Sequence, residues 1–384
     1  MSNLNRYVTM KVLHLLSGFY PTRGGIETLV DSLAQELKGQ HSIDSIFVAP
    51  RYWNSRPDVL NHAGITVYSL DVKVSGKSSA DRRLRDARQA MILTKQLDEI
   101  WEQEQPDVIH VHGVFDLFLL GNRLAQKYDI PVLNHLHGEL TSTLSPDYID
   151  ALRNADLVVA VSNPVAQSFH QLQPKATAVV IANGLADLSP RPRIIEIKRV
   201  VLVGRLEKQK GFDVAFEALA RLVSKGHRLE IHIVGIGNHQ YLQREAIRLG
   251  IDNLVIFHGR CNRDQTLNVM RKSDLVLVPS TSIEGFSLVA AEASLMGIPV
   301  IASNVGGLAK TIKHEFSGLI VDPSDAEGLA SSIKRYISDI DLANLHGQNG
   351  RAYVLEEFSL GRYASEMYST YLSLVKQFRE RRNQ

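Results

Sequence analysis

Cysteine is almost missing from this 384-residue chain, where Cys261 stands alone. A single thiol excludes an internal disulfide framework and any CxxC metal or redox site. No apolar run approaches the ~20 residues needed to span a bilayer. The segment Met1–Thr9 has neither the apolar core nor the cleavage site of a secretory leader. An excess of one charge is missing too. Lys and Arg number 43 against 41 Asp and Glu, a net of +2, so no bulk attraction to nucleic acid follows. Low-complexity tracts and short repeats are also absent. These absences predict a cytoplasmic protein in a reducing compartment.

What remains is an ordinary globular composition, 44% hydrophobic and 22% charged. Its length suggests two domains at roughly 150 residues each. Short apolar runs alternate with amphipathic stretches throughout. In the first half, strands are predicted at Lys11–Ser17, Ser45–Ala49, Ile65–Leu70, Asp107–His112, Pro131–Leu136, Leu157–Val161 and Ala178–Ile181. Helices are predicted over Ile26–Lys38 and Asp81–Glu104. Residues Asp187–Ile197 (DLSPRPRIIEI) carry two prolines and no periodicity, which reads as a linker. The alternation then restarts, with strands at Arg199–Val203, Arg228–Val234, Leu254–His258, Asp274–Pro279, Pro299–Ala302 and Gly318–Val321. Helices over Asp341–Glu357 and Leu360–Arg381 close the chain. Alternating strands and helices mean βαβ units around parallel sheets. The predicted organisation is an N-terminal Rossmann-like domain over 1–186, a linker over 187–198 and a second Rossmann-like domain over 199–359.

Ligands of open parallel sheets bind beyond the carboxyl ends of the strands, so the loops there carry the chemistry. After Arg199–Val203 comes Gly204-Arg205-Leu206-Glu207-Lys208-Gln209-Lys210-Gly211. Its Arg205 and Lys210 put two cations where a diphosphate needs them, although a solvated basic loop has the same composition. After Asp274–Pro279 comes Ser280-Thr281-Ser282-Ile283-Glu284-Gly285-Phe286-Ser287-Leu288. It leads into a helix whose first N–H groups, around Ser287–Val289, suit an anion. Glu284 and Glu292 flank that helix start, a spacing that chance also produces. Gly235-Ile236-Gly237 falls short of GxGxxG, which disfavours a dinucleotide fold. In the first half, Gly24 and Gly25 allow a close backbone approach to a ligand. The pairs His110/His112 and His135/His137 each share a strand face. Metal-ligand spacing makes a metal hydrolase the minority reading of these four. Without a matching Asp, Glu or Cys set, buried hydrogen-bonded histidines are the favoured reading, with His112 and His137 nearest the ligand.

The runs GGIET at Gly24, HLHGE at His135, VIANG at Val180, VGRLEKQKG at Val203 and VGIG at Val234 resemble glycosyltransferase family 4, the group 1 glycosyltransferases. The most specific match is PSTSIEGFSLVAAEASLMGIPVIASNVGG, Pro279–Gly307. The resemblance spans essentially the whole chain. It implies a GT-B fold, two doubly wound domains with a cleft between them, the final helix 360–384 packing back on the first. It also implies retaining transfer from a UDP-, GDP- or ADP-sugar to a hydroxyl acceptor bound by the first domain, with no metal and no cofactor.

Residue by residue, the family implies that Arg205 and Lys210 hold the pyrophosphate, with Gly24, Gly25 and Gly235 close by. Glu284 would meet donor-sugar hydroxyls and Glu292 the ribose. Backbone atoms of Phe286, Ser287, Leu288 and Val289 would line the sugar and phosphate site. Arg260 and Cys261 would sit by the base, His137 beside the reacting carbon and His112 on the acceptor side. Three departures bear on donor choice. Ser287 stands where the family usually has Gly, Lys310 where it commonly has an acid, and Asn183–Asp187 is one residue longer than NGVD. A nucleotide-sugar epimerase, a phosphorylase and a non-catalytic sugar-binding protein are the alternatives, although no pyridoxal phosphate lysine is identifiable.

The acceptor is expected to be a saccharide or a lipid-linked one. Arg82, Arg83, Arg85 and Arg88, with Lys376, Arg379, Arg381 and Arg382, suggest peripheral contact with the inner face of the membrane. Pairing of these cations with nearby acids is the competing reading.

Overall fold

The computed structural model describes residues 9–19, 24–50, 58–70, 94–113, 115–140 and 146–383. The chain divides into two compact units. The first comprises residues 1–161, 166–184 and 360–384, and the second 162–165 and 185–359. The cluster Arg82–Arg88 lies outside the described residues, as does the first part of the helix expected from Asp81; residues 94–104 are helical.

The first unit holds an eight-stranded sheet. Its strands are β1 (Lys11–Leu16), β2 (Asp44–Pro50), β3 (Val59–His62), β4 (Ile65–Leu70), β5 (Val108–His112), β6 (Val132–Leu136), β7 (Leu157–Ala160) and β8 (Ala178–Val180). They run in the order β3-β4-β2-β1-β5-β6-β7-β8. All pair in parallel except β3, which joins β4 antiparallel at the edge. β3 escapes the sequence reading because VLNH is half exposed and follows no apolar run. The central strands are buried on both faces, as parallel strands under helices must be. One face lies under the helices Gly25–His41 and Leu360–Arg382. There Val12, Val108 and Leu133 pack with Leu33, Leu37, Tyr363, Met367 and Tyr371.

The second unit has β9 (Arg199–Val203), β10 (Glu230–Val234), β11 (Val255–Gly259), β12 (Leu275–Val278), β13 (Val300–Ser303) and β14 (Leu319–Val321). Their order is β11-β10-β9-β12-β13-β14, parallel throughout. The order reverses direction at β9, so the loops after β9 and β12 leave the sheet at a switch point, where α/β sheets bind ligands. The expected linker has no regular structure, yet it is not a free tether. Ile194 and Ile197 are buried in the core of the second unit. Arg191 donates to Asp274 at 3.1 Å, and the Asn344 amide both accepts from Ile194 N and donates to Ile194 O, at 2.9 Å each.

No described helix is long and apolar enough to cross a membrane. The basic C-terminal residues are paired within the first unit. Arg381 meets Asp156 at 2.8 Å, Arg379 meets Asp107 at 4.0 Å, Arg382 meets Asp129, and Lys376 meets Glu380 at 3.9 Å on its own helix. This favours ion pairing over a free basic face at that end of the chain.

Candidate active site

In the second unit, the loop after β9 and the loop after β12 are tied together by backbone. Thr281 N donates to Gln209 O at 2.9 Å. Gly211 adopts φ of 65°, and a Cβ there would stand 1.9 Å from Pro279 O. Only glycine permits both the left-handed turn and that approach. The turn directs Lys210 across to the second loop, where Nζ lies 2.7 Å from Glu284 Oε1. Ser280 Oγ donates to the same carboxylate oxygen. Arg205 points elsewhere: it is exposed and pairs with Glu207 at 2.7 Å.

Ser287 is buried and caps the helix Leu288–Leu295, its hydroxyl accepting from Ala290 N at 3.3 Å. Where the family usually has glycine, this chain therefore has an N-cap donor and acceptor, the residue type that best satisfies the helix's free N–H groups. Phe286 packs edge-on against Phe358 at 5.2 Å between ring centroids. Gly306 and Gly307 press on this loop from behind, Gly307 N donating to Glu284 O at 2.6 Å. Lys210, Ser280, Glu284, Ser287 and Val289 line a cavity of ≈ 30 Å³ together with Phe212.

Glu292, one turn into the helix, is nearly buried, and desolvation pushes its carboxyl above the usual range. Arg263 opposes that shift from 3.0 Å. Arg263 was not among the residues singled out from sequence. Its signal was present, since Asn262 and Gln265 form a capping box that starts the helix Arg263–Arg271 and fixes the arginine beside Glu292. Arg260 is exposed and Cys261 half-buried just before this helix. Gly235, at φ of 149°, closes over Gly204, where a Cβ would meet Gly204 O at 1.8 Å. Lys210, Ser280, Glu284, Ser287 and Val289 are thus brought into one cavity, and Glu292 and Arg263 into a second pair. Arg205 is not in contact with either.

In the first unit, Gly24 caps the helix Gly25–His41, and Glu27 turns back to accept from Gly24 N at 2.8 Å. The histidine pairs hold more than their spacing suggested. Register aligns His14 with His110 and His112 with His135 on adjacent strands. His14, a lone histidine in an apolar strand with no motif around it, thereby joins the other four. His14 Nδ1 lies 3.0 Å from His112 Nε2, and His112 Nδ1 lies 3.2 Å from His137 Nε2. A second file runs from Tyr371 Oη to His110 Nδ1 at 2.7 Å and from His110 Nε2 to His135 Nδ1 at 3.2 Å.

The placement of His112 on the acceptor side needs correction. His112 is fully buried, with both nitrogens engaged by other imidazoles, and only His137 is half-exposed at the strand end. Burial keeps all five rings neutral. It lowers His14 to about 3 and His137 to about 4, and holds His110, His112 and His135 well below the ordinary value.

Two units, each built on a mainly parallel sheet, with a lysine–carboxylate pair at the switch point of the second, have the organisation of a GT-B glycosyltransferase. Comparison with known proteins agrees. Residues 23–187 match Glycosyltransferase Family 4 and residues 193–353 match Glycosyl transferases group 1. The chain belongs to this family. It is 26% identical over 386 residues to a GDP-mannose-dependent alpha-(1-6)-phosphatidylinositol monomannoside mannosyltransferase of Mycobacterium tuberculosis, covering 93% of this chain and 97% of that one. The fold is similar to sucrose-phosphate synthase from Thermosynechococcus elongatus, with a TM-score of 0.80 at 22% identity over 96% of this chain and 100% of that one. It is also similar to Anabaena HepE in complex with UDP and glucose, with a TM-score of 0.75 at 22% identity over 95% and 100%.

Proposed function

We propose that this glycosyltransferase moves a hexose-type sugar from a UDP- or GDP-sugar to a hydroxyl acceptor, with retained anomeric configuration and without a metal ion or cofactor. The observation that carries this reading is the Lys210–Glu284–Ser280 cluster, set beside the capped start of the helix Leu288–Leu295. A cation and free helix N–H groups suit a diphosphate, while the carboxylate suits sugar hydroxyls. In this reading Lys210 and Arg205 bind the diphosphate, Arg205 swinging off Glu207 to do so. Glu284 accepts from the donor sugar, and the nearly buried Glu292 accepts from ribose hydroxyls with Arg263 behind it. The backbone of Phe286–Val289 lines the site, and Arg260 and Cys261 flank the base.

As the bond from the anomeric carbon to the diphosphate breaks, negative charge grows on the leaving oxygen. Lys210, Arg205 and the helix start stabilise that charge without reorganising. The acceptor hydroxyl forms the new bond on the same face and passes its proton to the leaving phosphate. The GDP-mannose dependence of the mycobacterial mannosyltransferase and the UDP and glucose of the HepE complex support a nucleotide sugar. The pathway is proposed to be polysaccharide, lipopolysaccharide or glycolipid synthesis in the cytoplasm, with a saccharide or lipid-linked acceptor. Contact with the membrane surface is part of the proposal only for the lipid-linked case.

The test is to screen UDP, GDP, ADP and their sugars by thermal shift, then to measure release of diphosphate with and without candidate acceptors. Acceptor-dependent release, unchanged in excess EDTA and giving a retained linkage by proton NMR, is expected. Diphosphate release or sugar isomerisation that no acceptor accelerates points to an epimerase, and binding without turnover to a sugar-binding protein.

A further inference from the structure

The helix Leu288–Leu295 is covered around most of its circumference. Ala290, Ala291, Ala293, Ser294 and Leu295 are buried, while Leu288, Val289 and Glu292 keep part of their surface accessible. Spacings of three and four put Glu292 on the same side as Val289 and Leu288. The Ser287 hydroxyl takes the N–H of Ala290 at 3.3 Å, and the N–H groups of Leu288 and Val289 bond to no described residue. Four residues of helix rise about 6 Å. An anion held at those N–H groups therefore has the Glu292 carboxylate about one turn away on the same side, within reach of a ribose that follows a diphosphate.

How that carboxylate is held decides what it can bind. Arg263 directs both Nε, at 3.3 Å, and Nη2, at 3.0 Å, to Oε1 of Glu292. A carboxylate oxygen has about two lone pairs, so Oε1 is filled. Oε2 accepts from no described residue. Glu284 has the same asymmetry, because Lys210 and Ser280 share its Oε1 and its Oε2 accepts from no described residue. The exposed pair Arg335–Glu315, outside the loops that carry this site, is built otherwise. There Nη1 meets Oε1 and Nη2 meets Oε2, and the fork uses both oxygens. Arg263 is also fixed from its own helix, whose start is closed by reciprocal bonds of 2.9 Å between Asn262 and Gln265.

We propose that Arg263 is a positioning residue for the nucleotide: it saturates Oε1 of Glu292 and leaves Oε2 as the acceptor for a ribose hydroxyl, so that the site selects ribonucleotides over deoxyribonucleotides. This rests on the nucleotide-sugar reading of the site. Burial alone pushes Glu292 toward its protonated form, in which the carboxyl carries a hydrogen of its own. Arg263 opposes that shift and keeps the oxygen an acceptor. Lysine brings the charge but not the fork, since an ammonium is a point donor whereas Nε and Nη2 act together. A tie between two helices is the competing role, and it predicts no dependence on the ribose hydroxyls.

The test is calorimetry on the full chain with UDP, GDP and ADP, each beside its 2′,3′-dideoxy analogue. For the nucleotide that binds, wild type is expected to prefer the ribonucleotide roughly 10–100-fold, the scale of a charged hydrogen bond. In Arg263→Ala the ribonucleotide should weaken until that preference is nearly lost, with the dideoxy analogue little changed. Arg263→Met keeps an aliphatic stem without the guanidinium and should behave alike, which decides the matter should the Ala variant fail to fold. Arg263→Lys is expected to fall between these variants and wild type. A structural tie instead weakens both ligands alike and leaves their ratio as in wild type. The proposal is overturned by that unchanged ratio in the Ala and Met variants, or by wild type binding both forms equally. If none of the three ribonucleotides binds wild type, the nucleotide-sugar reading fails and takes this inference with it, a result distinct from an unchanged ratio.

Discussion

Lys210 Nζ lies 2.7 Å from Glu284 Oε1, so the cation assigned to the diphosphate is held, in the free protein, by the carboxylate assigned to the sugar. Both side chains are largely shielded, at 27% and 12% exposure. A diphosphate must therefore compete with Glu284 for Lys210. Glu284→Ala is expected to bind free nucleoside diphosphate at least as tightly as wild type, while turnover falls. Lys210→Ala and Arg205→Ala are expected to lower turnover at least about tenfold, because each loses a charge-assisted bond that strengthens as the glycosidic bond breaks. Calorimetry with the diphosphate beside kinetics separates these. Weaker diphosphate binding in Glu284→Ala contradicts the competition.

The Glu292–Arg263 pair has a different signature, because burial already raises the Glu292 carboxyl and Arg263 opposes that rise. Glu292→Ala is expected to weaken nucleotide binding more than it lowers turnover, since the ribose does not change during reaction. Arg263→Ala leaves a shielded carboxylate without its cation. It should cost about 1–3 kcal/mol, at the lower end because the guanidinium is 38% exposed. A carboxyl raised in the folded state binds protons more readily there than in the unfolded chain, so stability declines as pH rises through the folded value. Urea midpoints for Arg263→Ala should thus fall further below wild type at neutral pH than at acid pH. A pH-independent difference refutes this.

Much of the fold was legible because parallel strands buried on both faces are short apolar runs. β4 and β9 coincide with the predicted spans, at Ile65–Leu70 and Arg199–Val203. β3 was not legible, since an edge strand needs no apolar run when its partner supplies the pairing. The glycine-bounded loop and Glu284 were readable from residue type and order. The links between them were not. Lys210 and Glu284 are 74 positions apart, and only the approach of Gly211 to Pro279 brings them together. His14 was invisible for a similar reason: one histidine in an apolar strand carries no pattern until register sets it beside His110.

The closeness of those loops makes Gly211 a sharp test. Gly211→Ala meets both a left-handed φ of 65° and a backbone oxygen 1.9 Å from the new Cβ, so the two loops must part. Gly226 also has a left-handed φ, 91°, but nothing lies within 4 Å of its Cβ direction. Gly226→Ala should cost only the conformational strain of about 1 kcal/mol. Gly211→Ala should cost several times that and lower turnover along with Tm. Equal Tm losses in the two variants rule out the close approach as the reason for glycine at 211.

The histidine file sets the acid limit of the first unit. In the folded chain His14 titrates at about 3 and His137 at about 4, both below the ordinary 6.5 because burial disfavours the charged ring. His110, His112 and His135 are shifted the same way by burial and by one another. Below pH 6.5 the unfolded chain takes up protons that the folded chain refuses, so stability is complete above that pH and falls as pH drops toward about 4. Each refused proton costs up to about 1.4 kcal/mol per pH unit well below 6.5. The slope of unfolding free energy against pH should therefore exceed what a single histidine supplies. His14→Leu removes one ring while keeping the site apolar and should flatten that slope by about one proton, whatever it does to stability at neutral pH. Denaturant titrations across this window, on wild type and His14→Leu, measure both slopes. Identical slopes would show that His14 takes up its proton alike in the folded and unfolded chains, against the effect of its burial.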